Sequence, residues 1–288
     1  MYTNLALSGG GVWGISYAGA FEELEALGIL QQIRCVAGTS AGSMAGLLLA
    51  LGYNSTEISQ KIREANYARF LDNGNVNQIV NHYGYYNGNY ALGVFHEWVE
   101  GKLGSANATF ADLIAANGLD LRVYATNLNT RQVFEFSYRK TKDVSIADAV
   151  RASISVPLFF TAIEIQGQIF IDGGTVFDFP LAGFGKDEID NTLGLAFAQS
   201  SVVAREDQDD GRFGYRQPLQ YIRRLASVLQ RVQSPVFALH DELQQNTILI
   251  DTAGVNSLNF KLAQEDKERL IANGRQAVKE HFHNLADP

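Results

Sequence analysis

The chain has 288 residues, of which 46% are hydrophobic and 19% are charged, and its formal net charge at pH 7 is −8. This composition excludes a disordered chain, and the single cysteine, Cys35, excludes a disulfide scaffold. An acidic surface repels phosphate backbones, so nucleic acid is not expected as a partner.

The first 56 residues are almost free of charge. Two runs, 1–21 and 35–56, contain no charged side chain, and each is about as long as the roughly 20 apolar residues of a membrane-spanning helix. Glycines and small polar residues interrupt both runs, and the first lacks the basic start of a signal peptide. We therefore expect buried strands, turns and helices here, with neither a spanning segment nor a cleaved signal.

These residues predict two successive strand–turn–helix units. The strands are predicted over 4–7 and 33–37 and the helices over 15–27 and 41–51, with Gly28 and Gly52 as helix ends. Consecutive units of this type indicate an α/β fold, with a mostly parallel sheet and helices on its faces.

The remaining elements follow with no internal repeat and no linker, so one domain over 1–288 is expected. An amphipathic helix is predicted over 56–71, and the Asn- and Tyr-rich segment 72–90 is interpreted as a loop that caps or covers a site. Further helices are predicted over 91–99, 110–116 (with Thr109 as N-cap), 146–155, 219–232 and 263–282. Further strands are predicted over 121–126, 132–136, 161–165, 168–171, 193–197 and 247–250.

The sequence from Gly38 to Gly42, Gly-Thr-Ser-Ala-Gly, lies between a predicted strand and a predicted helix. In that context a G-x-S-x-G sequence is typical of a nucleophile elbow, a tight turn that exposes the serine hydroxyl. The flanking glycines let the strand and the helix approach without a Cβ clash. We interpret Ser40 as a candidate nucleophile.

The loop Gly9–Gly14 (Gly-Gly-Gly-Val-Trp-Gly) follows the first predicted strand and has two interpretations. It matches the G-x-G-x-x-G fingerprint of dinucleotide-binding proteins, but the acidic residue expected at the end of the second strand is missing. Its consecutive amides also suit an oxyanion hole. Both strands end at the same edge of a parallel sheet, so the second interpretation places the loop beside Ser40.

Asp172 is the candidate base for this serine. It follows the apolar run 169–171 and precedes Gly173 and Gly174, so it emerges from a buried strand onto a turn. Partial burial would raise its pKa and make it a better proton acceptor. Surface or packing roles are expected for the histidines, which are His82, His96, His240, His281 and His283.

The glycine loop, the Gly-Thr-Ser-Ala-Gly elbow and Asp172-Gly173-Gly174, in this order, resemble the patatin-like phospholipase family. The resemblance extends through 151–160, Phe179-Pro180 and 258–274, and it is weakest over 60–105 and 200–245. It implies a three-layer α/β/α fold that is a modified α/β-hydrolase fold, and calcium-independent hydrolysis of acyl esters without a cofactor. A phospholipid or other lipid ester is then the implied partner, with cytoplasmic location or peripheral contact with a membrane.

Carried over by position, the resemblance implies that Ser40 is the nucleophile and Asp172 the general base of a Ser–Asp dyad. The amides of Gly10 and Gly11, with Val12, would form the oxyanion hole. One residue departs from the family pattern, because members usually have Arg or Lys where this chain has Trp13. That change puts catalytic efficiency and head-group preference in question.

Two other functions stay open. One is an ordinary Ser-His-Asp esterase that uses His281 or His283. The other is a nucleotide-binding or scaffold protein whose serine site is inactive. The segment 72–90 and the acidic loop 205–210 are candidate lids or lipid contacts, and the sequence indicates neither an activator nor an oligomeric state.

Overall fold

A computed structural model gives the fold and describes residues 1–117, 119–198, 225 and 245–286. The strands are β1 (Asn4–Leu7), β2 (Cys35–Thr39), β3 (Gly84–Tyr86), β4 (Asp120–Asn127), β5 (Gln132–Ser137), β6 (Leu158–Phe160), β7 (Ile163–Ile165), β8 (Gln168–Asp172), β9 (Thr192–Ala198) and β10 (Thr247–Asp251). The α-helices are α1 (Tyr17–Ala26), α2 (Ala41–Ala50), α3 (Ser55–Glu64), α4 (Val76–His82), α5 (Asn89–Leu103), α6 (Phe110–Asn117), α7 (Tyr138–Thr141), α8 (Ile146–Ser153), α9 (Lys186–Ile189) and α10 (Gln264–Ala286). Short 3₁₀ helices cover Gly11–Ser16, Leu30–Gln32, Tyr67–Phe70, Gly173–Thr175 and Pro180–Gly183.

The main sheet has the strand order β10-β9-β1-β2-β4-β8-β7, with β5 paired to β4 off this path. Strands β10, β9, β1, β2 and β4 are parallel, whereas β5, β8 and β7 pair antiparallel. A separate two-stranded parallel sheet joins β3 to β6. The expected α/β fold with a mostly parallel sheet is confirmed.

Side chains of β1 alternate between two cores on the two faces of the sheet. Leu5 and Leu7 lie in the larger core, to which α1, α2 and α10 contribute their apolar faces. Ala6 lies in a smaller core with Leu181 and Phe184. Leu181 belongs to the 3₁₀ helix Pro180–Gly183, and Phe184 follows it. Both faces of the sheet are therefore buried, as a parallel sheet requires.

The two edges of β4 are used differently, and this arrangement positions the candidate site. Strand β5 pairs along residues 122–127 of β4, so it occupies one whole edge. Strand β2 pairs with residues 120–124 and β8 with residues 125–127, and both must therefore lie on the opposite edge. Because β2 runs parallel to β4 and β8 antiparallel, the carboxyl ends of β2 and β8 meet.

Several predicted elements differ from the observed ones. The helix predicted over 56–71 ends at Glu64, because the chain turns at Ala65 so that Tyr67 and Phe70 can enter the core from a 3₁₀ helix. The helix predicted from 15 begins as a 3₁₀ helix and becomes α-helical only at Tyr17. The predicted helix 219–232, the loop 205–210 and His240 lie outside the described residues.

The segment 72–90 is not a simple loop. It contains α4 and β3, and β3 pairs with a strand, β6, that the sequence pattern did not predict. Both strands have three residues, too few for an alternating pattern to stand out. The sequence prediction of loop structure over 72–90 is thus wrong in part.

Arg151 of α8 connects this segment to the rest of the fold. Its side chain is 1% exposed, and its guanidinium donates to the carbonyl oxygens of Asn87 (2.6 Å), Gly88 (3.1 Å) and Thr161 (3.2 Å). Burial lowers the pKa of Arg151 to about 10, so the group is still protonated at neutral pH. The buried cation therefore joins the carbonyl groups of Asn87, Gly88 and Thr161 to helix α8.

Replacing Arg151 by Met should lower the free energy of unfolding by about 3 kcal/mol, because the buried charge-assisted hydrogen bonds to Asn87, Gly88 and Thr161 are lost. Urea denaturation followed by tryptophan fluorescence measures the change. Arg139→Met is the matched control, since Arg139 is exposed on α7, and it should change stability by less than about 0.5 kcal/mol. Equal effects of the two substitutions would contradict this structural role.

Candidate active site

Ser40 lies in the tight turn between β2 and α2. Its backbone has φ 49° and ψ −121°, a conformation that costs a non-glycine residue on the order of 1–3 kcal/mol. The Ser40 amide donates to Ser153 Oγ at 2.8 Å, and Ser153 Oγ in turn donates to the Tyr124 carbonyl at 2.6 Å. Contacts from α8 and β4 therefore hold the strained turn in place.

The two glycines of the elbow allow unusually close backbone packing. A Cβ on Gly38 would lie 2.4 Å from the carbonyl oxygen of Gly42, and a Cβ on Gly42 would lie 2.2 Å from the carbonyl oxygen of Leu7. Both distances are shorter than a carbon–oxygen contact permits. Glycine at these positions is thus what lets α2 begin directly against β1 and β2.

The Ser40 hydroxyl donates a hydrogen bond to Asp172 Oδ2, with an oxygen–oxygen distance of 2.7 Å. The other carboxylate oxygen, Oδ1, accepts a hydrogen bond from the Gly174 amide, also at 2.7 Å. The residues Ser40 and Asp172 are 5% and 4% exposed, respectively. The structure thus brings together the serine and the aspartate that the sequence singled out, although they are 132 positions apart.

Burial raises the pKa of Asp172 to about 7, against the opposing effect of the hydrogen bonds from Ser40 and Gly174. A carboxyl group with a pKa near the working pH combines a substantial ionised fraction with useful strength as a proton acceptor. The pair has the geometry and the acid–base properties that activation of a serine hydroxyl requires.

The glycine loop lies beside the serine, as the sequence predicted. A Cβ on Gly9 would be 3.3 Å from Ser40 Cβ, and the amides of Gly10 and Gly11 have no hydrogen-bond acceptor among the described residues. The amide of Val12, in contrast, donates to the Ser257 carbonyl oxygen at 2.9 Å. Val12 is therefore not available for an oxyanion, and the candidate oxyanion site is limited to Gly10 and Gly11.

Trp13, which stands where members of the resembled family usually have Arg or Lys, packs against neighbouring residues. Its indole N–H donates to the Val255 carbonyl oxygen at 2.7 Å, and its ring packs against Phe197 with centroids 5.8 Å apart. The side chain is thus fixed against the segment that precedes α10. It presents no charge to the site.

A cavity opens at Ser40, and its empty space together with the adjoining open solvent amounts to about 640 Å³. Except for the Ser40 hydroxyl, its lining side chains are all apolar or aromatic. They come from several elements: Ile15, Ala41, Met44, Ala45, Leu48, Ile62, Tyr67, Phe70, Trp98, Ile154, Val156, Phe160, Leu258 and Phe260. This mainly apolar lining suits a hydrocarbon chain, and it contains no cationic side chain that would pair with a phosphate group.

The described histidines do not contact the Ser40–Asp172 pair, and none of them lines the cavity. His82 ends α4, and His96 belongs to α5. His281 and His283 belong to α10, where the His281 ring packs on Phe282 with centroids 5.1 Å apart. Among all the residues that the structure describes, no group of three or more His, Cys, Asp or Glu side chains is placed to hold a metal ion.

Two residues next to the pair were not predicted from the sequence. Ser153 accepts a hydrogen bond from the Ser40 amide, and nothing in the sequence around Ser153 distinguishes it from other serines at helix ends. Asp178 lies near Gly9 and Gly174, within a Phe-Asp-Phe sequence six residues after Asp172. An acidic side chain between two aromatic residues, so close to a catalytic motif, was a signal that could have been used.

The chain is similar in sequence and in fold to several known proteins. Residues 5–184 match the family model described as patatin-like phospholipase. An uncharacterized protein of Acanthamoeba polyphaga mimivirus is 28% identical over 290 residues, covering 98% of this chain and 94% of that protein. The probable lipid hydrolase 463L of Invertebrate iridescent virus 6 is 28% identical over 182 residues, or 62% of each chain. The crystal structure of VipD from Legionella pneumophila has the same fold, with a TM-score of 0.69 at 19% identity over 98% of this chain and 67% of VipD.

Labelling of Ser40 by a fluorophosphonate should depend on the ionisation of Asp172. Because the carboxylate must be ionised to accept the serine proton, the labelling rate should rise from acidic to neutral pH, with a midpoint near a pKa of about 7. Mass spectrometry of the modified peptide measures the rate. Asp172→Asn should remove the rise, and a rate that is independent of pH in the unchanged protein would contradict the role of Asp172.

Proposed function

Since the chain belongs to the patatin-like phospholipase family, we propose that it is a lipid acyl hydrolase that cleaves carboxylic esters of phospholipids or lysophospholipids. Family membership supports lipid hydrolase activity in general. The observation that carries the proposed mechanism is the 2.7 Å hydrogen bond from the Ser40 hydroxyl to Asp172, at the opening of an apolar cavity.

In the proposed reaction, Asp172 accepts the Ser40 proton while Ser40 Oγ attacks the ester carbonyl. The amides of Gly10 and Gly11 stabilise the negative oxygen of the tetrahedral intermediate. Asp172 then gives its proton to the leaving alcohol, and an acyl-enzyme remains on Ser40. Water, deprotonated by Asp172, attacks that ester and releases the fatty acid with Ser40 protonated again.

The path of the acyl chain is suggested by α2, which both presents Ser40 and lines the cavity. Ala41, Met44, Ala45 and Leu48 of this helix face the cavity. From Ser40 to Leu48 a helix rises about 12 Å. An extended chain advances roughly 1.2 Å per bond, so this wall accommodates about ten carbons. The geometry supports a substrate with at least a medium-length acyl chain.

The other two candidate functions receive less support. A Ser-His-Asp esterase needs a histidine at the serine, whereas the Ser40 hydroxyl is hydrogen-bonded to Asp172. A dinucleotide would need room for its phosphates near the glycine loop, but a Cβ on Gly11 would already lie 2.2 Å from the Ser257 carbonyl oxygen. The adjacent cavity is also apolar.

Ser40→Ala should abolish the release of fatty acid from phospholipid vesicles, because the acyl-enzyme can no longer form. Mass spectrometry of the lipid products provides the measurement. His281→Ala and His283→Ala are the control variants and should keep full activity. Fatty-acid release by Ser40→Ala at the unchanged rate would rule out the proposed hydrolase, and loss in either histidine variant would favour the conventional esterase.

Contact with a lipid surface is the second part of the proposal. Val76, Val80 and Tyr83 of α4 and its C-terminal cap are spaced along one helix face and are 52%, 77% and 53% exposed. They belong to a stretch, 73–96, without Asp, Glu, Lys or Arg. In a chain of net charge −8, such a neutral apolar face can approach a lipid surface without electrostatic repulsion.

The packing connects this face to the cavity. Helix α4 packs on β3, and the Tyr86 ring of β3 contacts Phe159 and Phe160 with centroids 5.1 and 6.3 Å away. Phe160 itself lines the cavity. Among the described residues no helix has both the length and the apolar character to cross a membrane. The contact that we propose is peripheral and is made by the exposed face of α4.

Val80→Glu should weaken binding to phosphatidylcholine vesicles by at least about tenfold, because a valine that enters the lipid contributes about 1.5–3 kcal/mol. Vesicle co-sedimentation measures the binding, and hydrolysis of a soluble short-chain ester should stay unchanged. Val133→Glu on β5, where Val133 is 39% exposed, is the control and should bind normally. Undiminished binding by Val80→Glu, or a change in its oligomeric state instead, would refute the lipid contact.

A further inference from the structure

A second carboxyl group, that of Asp178, lies next to the Ser40–Asp172 pair and has no part in the mechanism described so far. The Asp178 carbonyl oxygen accepts a hydrogen bond from the Gly9 amide at 2.9 Å, and this bond fixes the Asp178 backbone against the glycine loop. Its side chain points the same way, since a Cβ on Gly9 would lie 2.3 Å from Asp178 Oδ1. Asp178 is therefore held beside the candidate oxyanion site.

The two aspartates approach each other across Gly174. A Cβ on Gly174 would lie 2.8 Å from Asp178 Oδ1 and 3.0 Å from Asp172 Oδ1. Any side chain at this position would thus contact both carboxylates. Glycine leaves them close together with only backbone between them, and two like charges at such a distance oppose each other's ionisation.

Hydrogen bonding distinguishes the two carboxyl groups. Asp172 accepts from the Ser40 hydroxyl and from the Gly174 amide, and both donors favour its charged form. The Asp178 carboxyl group has no hydrogen-bond donor among the described residues. Burial, followed by repulsion from Asp172, raises the pKa of Asp178 to about 7. Negative charge is therefore better accommodated on Asp172 and the proton on Asp178.

Among the described residues, Tyr17 of α1 is another titratable group near Asp178, whose charge raises the pKa of Tyr17 further. Its hydroxyl donates to the Ser8 carbonyl oxygen at 2.7 Å, and burial raises its pKa far above the usual range. Tyr17 thus stays neutral over the whole working range of pH. The charge around Asp178 is set by the two carboxyl groups.

We propose that Asp178 is a positioning residue that keeps one proton beside the dyad, so that the active form of the site carries a single negative charge, on Asp172. When Asp178 loses this proton to solvent at higher pH, a second charge forms against Gly9. That charge opposes the negative oxygen that Gly10 and Gly11 would stabilise, and hydrolysis slows. This inference rests on the proposed acyl hydrolase activity.

The test is the pH dependence of kcat/KM for a soluble ester, from about pH 5 to about pH 10, in the full chain and in Asp178→Asn. The rate of Ser40→Ala is subtracted at each pH as background. The unchanged protein should give a bell-shaped profile. Asp178→Asn, which mimics the protonated carboxyl group, should keep the acidic limb, lose the alkaline limb and exceed the unchanged protein several-fold at about pH 9.

Asp187→Asn is the matched control, because Asp187 is exposed on α9 and its replacement removes the same charge away from the site. Its profile should be that of the unchanged protein. If the Asn variant does not fold, Asp178→Ser removes the same charge with a smaller side chain and gives the same test. An alkaline limb that persists in these variants overturns the role of Asp178, whereas activity that persists in Ser40→Ala overturns the hydrolase itself.

Discussion

The arrangement of the site depends on β4, which has β2 and β8 end to end along one edge. Thr39, the last residue of β2, is the register partner of Tyr124, and Asp172, the last of β8, is the partner of Ala125. Adjacent residues of one strand thus fix the ends of two others that run in opposite directions. The serine that follows β2 meets the aspartate that ends β8 without any loop having to fold over to bring them together.

This alignment also explains how an unfavourable backbone conformation is maintained at Ser40. The elbow is held from β4 and α8 through Ser153, from Asp172 through the hydroxyl, and from β1 through the close approach of Gly42. Strain of this kind persists only where the surroundings allow no other arrangement. The hydroxyl is therefore already oriented before a substrate binds, and a reaction needs little reorganisation of the site.

Residue patterns predicted most of the fold because glycines and apolar runs report local geometry directly. The elbow, the glycine loop and the turn after Asp172 each require particular small residues, so each is visible in the sequence. The short strands β3 and β6 have no such pattern, since tertiary pairing decides their structure. The same holds for the Val12 amide, whose hydrogen bond to Ser257 joins residues 245 positions apart, and for Asp178, whose environment is assembled by Gly9 and Gly174.

Helix α2 contributes to the candidate site, to the cavity and to the core at the same time. Its N-terminus follows Ser40, one face of it lines the cavity, and nearly all its residues are buried in the core. The small side chains Ala41 and Ala45 leave the space that an acyl chain would fill. A larger residue at either position would shorten the accepted chain and repack the core at once. Substitutions in α2 that change the accepted chain length would therefore also change thermal stability. Keeping the stability unchanged would require further substitutions among the core side chains that pack against α2.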